Sequence, residues 1–334
     1  MRYIGSKNRI LDFIDKTIRE TYGDYSDATV ADLFSGTGCV GAMFKEKGAR
    51  VITNDYLHFS YAMQIARVRI NQLPSNYQTV INELNSLNGV EGFIFREYTS
   101  AGSGHRNYFN EENAKKIDAI CIYLKERLSS GDISQEEFFL YKASLIDAVT
   151  KVSNTSGTYG SYLKIDDNRK YKNIVIEPFA VIDNKKDNEC FCEDITHVIT
   201  HVSGDVLYLD PPYNNRQYPP YYHILETVTL YDEPSIYGKT GRRHYEDLIS
   251  PLCLKEKAIP TMSEIVREAA FKHCYISYST DGIMPYKQLC EELQHYGAVS
   301  VYFKDYRRYK ANSNGTIEDD KGNLKEIIIH VKKR

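Results

Sequence analysis

The sequence Val206-Leu207-Tyr208-Leu209-Asp210-Pro211-Pro212-Tyr213 contains an apolar run that must end where two prolines begin. The run from Val206 to Leu209 is continuous, which is typical of a strand buried on both faces of a parallel sheet. Each proline fixes its backbone and lacks an N–H donor, so the chain leaves the sheet after Asp210. We therefore predict an acid and an aromatic ring at the carboxyl end of this strand, the edge at which open α/β sheets bind ligands.

The groups at this turn suit a planar ring that carries an amine. A carboxylate and a proline carbonyl only accept hydrogen bonds, so together they match an NH₂ group with its two donors. The ring of Tyr213 offers a face on which a heterocycle can stack. These groups predict a pocket for the exocyclic amine of a nucleobase, although Asp-Pro-Pro-Tyr is also ordinary turn chemistry.

A second strand and turn lie nearer the N-terminus. The segment Val30–Phe34 is predicted as the first strand, and it leads into Ser35-Gly36-Thr37-Gly38-Cys39-Val40-Gly41. Glycines permit a tight turn and let a ligand approach the backbone. A helix and a strand at Arg50–Asp55 follow, and Asp55 has the spacing of a ribose-binding carboxylate. This order predicts the first part of a nucleotide-binding α/β sheet.

Two cofactor classes share this layout, the dinucleotides and S-adenosylmethionine. Asp32 lies on the strand just before the glycines. A carboxylate there would repel a pyrophosphate and could pair with the ammonium of a methionine moiety. The residues therefore favour S-adenosylmethionine, while a nicotinamide-dependent oxidoreductase stays open.

The middle of the chain has a different character. Asn110 is predicted to cap one helix, and Ser134 begins a capping-box pattern for another. We interpret 70–172 as an inserted, mostly helical target-recognition module between two parts of a catalytic domain, 1–69 and 173–334. The polar loops of this module are either simple connections or a DNA-contacting surface.

The C-terminal part is predicted to complete the sheet. We expect strands at 190–194 and 274–279, helices at 263–272 and 285–296, and a terminal hairpin of 299–303 with 326–331. A loop is expected from Pro234 to Pro260, either solvated or acting as a phosphate-binding lid. The basic and tyrosine residues of 304–310 suit contacts with phosphates.

Composition sets outer limits on the function. The chain has 334 residues, 42% of them hydrophobic, and its net charge of −3 argues against a histone-like basic coat. No apolar run is long enough for a membrane span, and residues 1–7 lack an apolar signal region. The seven scattered cysteines fit a reducing cytoplasm and do not have zinc-ligand spacing. We expect a cytoplasmic protein without a metal site.

In their order and spacing, the motifs resemble the Dam-like adenine-N6 DNA methyltransferases of the alpha motif order. Within them the chain is most similar to the FokI-like methyltransferases of restriction–modification systems. The resemblance covers nearly the whole chain and is carried by Tyr3-Ile4-Gly5-Ser6-Lys7, Asp32–Gly38, Arg106–Phe109, Asn154–Gly160 and Asp210–Tyr213. It implies an α/β, Rossmann-like S-adenosylmethionine-dependent methyltransferase sheet with an inserted target-recognition domain.

The resemblance also implies a reaction, in which a methyl group passes from S-adenosylmethionine to a flipped-out adenine of double-stranded DNA. Together with the pocket chemistry, it assigns catalysis to Asp210, Pro211, Pro212 and Tyr213. Cofactor binding is assigned to Tyr3, Lys7, Asp32, Phe34, Ser35, Gly36, Gly38, Asp55 and Asp194. DNA binding is assigned to Arg106, Asn154, Thr158, Tyr159, Lys164 and Arg216.

Other methyltransferase classes differ from this sequence at the position of Asp210. Cytosine-N4 relatives usually carry Ser in place of Asp210, and protein-glutamine methyltransferases usually carry Asn. An RNA adenine methyltransferase remains an alternative, as does the oxidoreductase. We expect a monomer or weak dimer, and the resemblance leaves open a cognate restriction endonuclease as a partner.

Overall fold

A computed structural model describes residues 5–305 and 325–334. Its strands are β1 (Thr29–Asp32), β2 (Arg50–Asn54), β3 (Glu189–Phe191), β4 (Ser203–Leu209), β5 (Ile236–Tyr237), β6 (Arg242–Arg243), β7 (Ala270–Ser279), β8 (Gly297–Asp305) and β9 (Lys325–Lys333). Seven of them form one sheet in the order β3-β2-β1-β4-β7-β9-β8. The first five in that order run parallel, and β9 is antiparallel to both of its neighbours. The predicted Rossmann-like α/β fold class is confirmed.

The helices are α1 (Leu11–Thr21), α2 (Cys39–Glu46), α3 (His58–Gln64), α4 (Tyr77–Ser86), α5 (Phe93–Tyr98), α6 (Glu111–Ser130), α7 (Gln135–Val152), α8 (Ile195–Val198), α9 (Pro219–Leu230), α10 (Lys255–Glu268) and α11 (Tyr286–Leu293). Helix α3 continues as a π-helical turn over Ile65–Arg69. In the part of the chain that the structure describes, no helix has the length and apolar character needed to cross a bilayer.

Both faces of the sheet are buried, as the continuous apolar run at 206–209 predicts. Successive side chains of a strand point to opposite faces. Val206 and Tyr208 therefore pack with residues of α1 and α2, whereas Leu207 and Leu209 pack with residues of α10 and α11. Burial of each leucine contributes about 1.5–3 kcal/mol. This two-sided packing holds β4 in the centre of the sheet, and the prolines that follow Asp210 end the strand.

A third hydrophobic core joins the helices between β2 and β3 to α9, which follows the Asp-Pro-Pro-Tyr turn. The predicted helix starts are confirmed here. Asn110 accepts a hydrogen bond from the backbone N–H of Asn113, and Ser134 and Glu137 form a reciprocal capping box. The helical segment is therefore packed against α9, the helix that follows the Asp-Pro-Pro-Tyr turn. Its role as a target-recognition module stays a prediction.

Three boundaries differ from the sequence predictions. Helix α10 begins at Lys255 and includes Pro260, so the expected loop ends earlier, and the helix ends at Glu268. Residues 270–272 belong instead to β7, because Phe271 pairs with Gly204 of β4 and this non-local pairing overrides the local helical pattern. Strand β3 ends at Phe191 rather than reaching residue 194.

The predicted terminal hairpin is confirmed by the antiparallel pairing of β8 with β9. The predicted phosphate contacts at 306–310 lie outside the described residues, as does Tyr3. All seven cysteines are free thiols.

Candidate active site

The turns that follow β1 and β4 lie side by side at one edge of the sheet. The two strands are adjacent and parallel, with Asp32 paired opposite Tyr208, so their carboxyl ends coincide. A cleft opens there, lined by Gly5, Ser6, Lys7, Asp32, Phe34, Ser35, Gly36, Thr37, Cys39, Val40, Tyr208 and Asp210. The fold thus brings five predicted cofactor residues to the predicted catalytic acid.

The glycine turn after β1 has a left-handed backbone conformation, which residues with a Cβ adopt only with steric strain. Gly36 and Gly38 have φ angles of +51° and +73°, in the left-handed region. At Gly41 a side chain would place its Cβ 2.8 Å from the Cγ2 of Thr53, so α2 packs directly on β2. The three glycines therefore form the turn and let the helix approach the sheet.

Asp32 is a buried carboxylate at the end of β1. It is 1% exposed, and one carboxylate oxygen accepts from the backbone N–H of Gly41 at 3.2 Å. The other oxygen is buried without a hydrogen-bond partner among the described residues, as is the hydroxyl of Ser35. Burial, reinforced by the negative charge of Asp210, raises the pKa of Asp32 to about 8. The pair of buried, unpartnered oxygens can receive a cationic donor group.

Asp55 ties the glycine turn to the end of β2. Its two carboxylate oxygens accept from the backbone N–H groups of Gly36 and Leu57, each at 3.0 Å. Burial raises its pKa to about 6. Each oxygen retains a further lone pair, so the carboxylate can still accept hydroxyl groups as the ribose-binding prediction requires.

Asp194 lies on a different part of this edge. Its carboxylate accepts from the backbone N–H of Thr196 at 2.8 Å and so caps α8, and it is not among the residues that line the cleft. The adjacent loop is held by a residue that the sequence analysis missed. Asn54 accepts from the N–H of Glu193 at 3.1 Å, and it donates to the carbonyls of Glu193 and Leu33 at 3.1 and 3.3 Å. The position of Asn54 at the end of a predicted strand, directly before Asp55, was the sequence feature that could have identified it.

The Asp-Pro-Pro-Tyr turn is held by Lys7. The Lys7 Nζ lies 3.0 Å from an oxygen of Asp210 and 2.6 Å from the hydroxyl of Tyr213, and it sits 4.3 Å from the Tyr213 ring centroid. Burial raises the pKa of Asp210 to about 6, and the Lys7 charge opposes that rise. The resemblance assigns Lys7 to cofactor binding, and the structure places its ammonium on the Asp-Pro-Pro-Tyr turn.

The turn is also fixed on its other side. Pro211 is buried, and the carbonyl of Tyr213 accepts from the N–H of Ile283 at 2.9 Å. The Tyr213 hydroxyl lies 3.2 Å from the Glu326 carboxylate and 3.3 Å from the Ser277 hydroxyl. Neither of these two residues was identified from the sequence.

The predicted DNA-binding residues fall into two groups. Arg106, Asn154 and Tyr159 are largely buried; Arg106 pairs with Glu97 at 3.0 Å, and the amide of Asn154 donates to the carbonyls of Asn107 and Leu163. These three side chains support loops in this conformation. Lys164 and Arg216 are exposed, and Thr158 is half-buried. A second pocket is lined by Asn214, Arg216, Tyr218, Tyr221 and Tyr222.

One group among the described residues has metal-ligand character. Ligand atoms of Glu193, His197 and His201 lie within 4.8 Å of one another. The His197 side chain is 72% exposed and the other two are 33–39% exposed.

Comparison with known proteins gives the family. The model of the D12 class N6 adenine-specific DNA methyltransferases matches residues 3–281. The chain is 36% identical over 349 residues to modification methylase LlaI of Lactococcus lactis subsp. lactis, covering all of this chain and 55% of LlaI. It is 37% identical over 347 residues to type II methyltransferase M.FokI of Planomicrobium okeanokoites, covering all of this chain and 53% of that protein.

A relative of similar length is type II methyltransferase M.NlaIII of Neisseria lactamica. The identity is 33% over 332 residues, which cover 99% of this chain and 98% of that protein. The chain thus spans about half the length of the first two relatives and nearly all of the third. On the family match over residues 3–281, the chain belongs to the D12 class N6 adenine-specific DNA methyltransferases, which confirms the resemblance inferred from its motifs.

Proposed function

We propose that this chain is a site-specific DNA adenine-N6 methyltransferase that uses S-adenosylmethionine and serves as the modification part of a restriction–modification system. The observation that carries the proposal is the shared cleft, in which Asp210 and the glycine turn lie at the ends of adjacent parallel strands. The family match and the type II modification methylases among its relatives support the same function.

The cleft fits the proposed cofactor. S-adenosylmethionine would supply a methyl group on a positively charged sulfur. The unpartnered oxygens of Asp32 and Ser35 suit the ammonium of its methionine part, and an arriving cation would stabilise the ionised form of Asp32. Asp55 is the candidate acceptor for the ribose hydroxyls. Asp194 is the candidate acceptor for the adenine amine, through lone pairs that its cap on α8 does not use.

The catalytic turn would act on the adenine amine by accepting its protons. The N6 atom is unreachable inside a stacked duplex, so the base must be flipped out, at a cost of a few kcal/mol. Asp210 and the carbonyl of Pro211 would each accept one N–H, which directs the nitrogen lone pair out of the ring plane. Tyr213 would stack on the base. Asp210 need not be a strong base, because the proton can leave after the nitrogen becomes cationic.

Lys7 has a defined part in this scheme. Its ammonium lies 3.0 Å from one carboxylate oxygen of Asp210, the group proposed to accept the substrate amine. While the base is outside, Lys7 compensates the charge of a buried carboxylate, which would otherwise be costly. The amine of the flipped base would displace it. Positioning and electrostatics, rather than a covalent enzyme intermediate, then supply the acceleration.

The surface that meets DNA is proposed from accessible residues. Lys164 and Arg216 are exposed and positively charged, and Thr158 is partly accessible, so these three are the proposed contacts. Residues 70–172 would carry target recognition between the catalytic parts 1–69 and 173–334. Arg106, Asn154 and Tyr159 would act by holding the recognition loops. The chain would act as a monomer or weak dimer, beside a cognate endonuclease, in the cytoplasm, where free thiols persist.

The test is mass spectrometry of nucleosides from unmethylated DNA incubated with the protein and S-adenosylmethionine, beside the Asp210→Ala variant. The proposal predicts N6-methyladenine with the native protein only. Cofactor binding without any modified DNA base would move the substrate to RNA or protein. N4-methylcytosine would show that the base preference is wrong, and binding of a nicotinamide cofactor would favour an oxidoreductase.

A further inference from the structure

The catalytic tyrosine is held by a residue of the last strand. The hydroxyl of Tyr213 lies within hydrogen-bonding distance of three side chains, Lys7 at 2.6 Å, Glu326 at 3.2 Å and Ser277 at 3.3 Å. Its ring also packs edge-on against Tyr278, with centroids 4.9 Å apart. Glu326 lies 113 residues from Tyr213 in sequence and outside the region that the family model matches.

The sheet topology explains how Glu326 reaches the catalytic edge. Because β9 runs antiparallel to β7, the first residues of β9 lie beside the last residues of β7, and Glu326 pairs with Ser279. Ser277 precedes Ser279 by two residues and therefore faces the same side of the sheet. The first residues of β9, which include Glu326, therefore lie at the same edge of the sheet as the Asp-Pro-Pro-Tyr turn.

The hydrogen-bond chemistry assigns each partner a direction. The Lys7 ammonium can only donate, so the Tyr213 oxygen accepts from it. The Tyr213 hydroxyl can donate its single proton to the Glu326 carboxylate at 3.2 Å or to Asp210, whose charged form it also stabilises, and Ser277 can donate to the Tyr213 oxygen. Glu326 is thus an acceptor for this hydroxyl that is distant in sequence from the Asp210–Lys7 pair, and it helps to restrain the ring.

We propose that Glu326 is a positioning residue for base methylation, which orients the Tyr213 ring on which the target base stacks and adds a negative charge beside Asp210. The inference rests on the proposed function. Charge-assisted hydrogen bonds are among the stronger ones in proteins, and an error of about 1 Å in the placement of a reacting group can cost roughly a hundredfold in rate. Loss of Glu326 would therefore slow the chemical step without removing any group that touches the reacting atoms.

The charge of Glu326 also has a measurable consequence. The Glu326 carboxylate is one of the charges that raise the pKa of Asp210. Among residues 5–305 and 325–334, the other titratable groups that face Asp210 include Lys7, Asp32, Cys39, Tyr208, Tyr213 and Tyr218. A neutral residue at 326 leaves these groups in place and removes one repulsion, so Asp210 should ionise at lower pH.

The experiment compares Glu326→Gln and Glu326→Ala with the wild type by single-turnover methylation of unmethylated DNA from pH 5 to 9. Glutamine retains an acceptor for the Tyr213 hydroxyl but no charge, whereas alanine removes both. The matched control is Glu292→Gln. Glu292 accepts from Ser263 at 2.7 Å beside the Tyr296 hydroxyl, a similar Ser, Glu and Tyr group between α10 and α11.

We expect the alanine variant to lose roughly ten- to a hundredfold in single-turnover rate, with its affinity for S-adenosylhomocysteine unchanged. The glutamine variant should keep a rate near that of the wild type at pH 8. The acid limb of its pH profile should move down by about half a pH unit, as expected of one partly solvated charge. The control should alter neither quantity.

Wild-type rates and an unmoved pH profile in both Glu326 variants would overturn the inference while leaving the proposed function intact. If the alanine variant fails to fold, the pH profile and rate of the glutamine variant still decide. A wild-type protein that methylates no DNA base would instead refute the proposed function.

Discussion

Replacing Asp32 by asparagine should stabilise the protein while it weakens cofactor binding. Asp32 is 1% exposed, and one of its oxygens has no hydrogen-bond partner among the described residues. Burial raises its pKa to about 8, so the folded protein retains a proton that the unfolded chain releases at neutral pH. Asparagine has the same shape and needs no such proton. A buried acid that reduces stability in this way is a sign of a functional role.

The size of the effect follows from the two pKa values. Neutral pH is about three pH units above the ordinary value of 3.8, and each unit corresponds to about 1.4 kcal/mol. Keeping the proton therefore costs at most about 4 kcal/mol at pH 7. The amide introduced by the substitution buries its own N–H groups, which offsets part of the gain. We expect a net stabilisation of about 1–3 kcal/mol, or roughly 2–4 °C in melting temperature for a chain of this length.

The pH dependence has a definite sign. The folded state binds a proton that the unfolded state has lost, so the stability of the wild type decreases as pH rises from about 4 to about 8. Below this window both states carry the proton, and above it both have lost it. The advantage of the Asp32→Asn variant should be absent near pH 4, grow across the window and become constant above pH 8.

The assay is urea unfolding of both proteins across this pH range, with isothermal titration of S-adenosylmethionine at pH 8. Asp118→Asn is the matched control, because Asp118 is also buried but accepts from three backbone N–H groups and the Tyr231 hydroxyl at 2.8–3.1 Å. An amide there would face donors and should destabilise the protein by about 1–3 kcal/mol. An Asp32→Asn variant that is less stable at every pH, or that binds the cofactor normally, would refute the reasoning.

Three further predictions concern other parts of the molecule. The methylation rate should fall below about pH 6, because Asp210 then takes up a proton and loses part of its capacity to accept the N–H of the substrate amine. A single-turnover profile that stays flat to pH 5 would contradict this. Asp55→Ala should weaken S-adenosylmethionine binding at least about tenfold in titration calorimetry, since it loses the ribose acceptor and the contact with Gly36, and unchanged affinity would remove Asp55 from the site. Asn154→Ala should lower the free energy of unfolding by about 1–3 kcal/mol, because the buried amide bridges Asn107, Leu163 and Asp167; a melting temperature equal to that of the wild type would show that these bonds contribute little.

Sequence patterns predicted the elements whose signals are local. The buried strand at 206–209, the glycine turn after β1, the capping box at Ser134 and the terminal hairpin all depend on residues within a few positions of one another. The position of the cleft could also be predicted from the sequence, because parallel strands in an α/β sheet align their carboxyl ends. The family match over residues 3–281 agrees with these motifs.

Other predictions depended on partners that are distant in sequence. The local sequence of 263–272 does not indicate that Phe271 pairs with β4. The predicted helix was therefore extended wrongly into residues that belong to β7. The exposed or buried state of a polar residue is likewise a tertiary property. Asn154 and Arg106 are polar residues of loops that were predicted to contact DNA; the fold buries Asn154 and leaves the Arg106 side chain 14% exposed, and their DNA-binding role stays a prediction.

The sequence by itself determined the strands, the turns and the chemical types that meet at the edge of the sheet. Only the tertiary structure decided which charges share that edge. Lys7 reaches a residue 206 positions away, and Glu326 reaches the same hydroxyl from the last strand. The physical reason is that local patterns fix backbone conformation, whereas hydrogen bonds and pKa values depend on groups that only the packed sheet brings within a few ångströms.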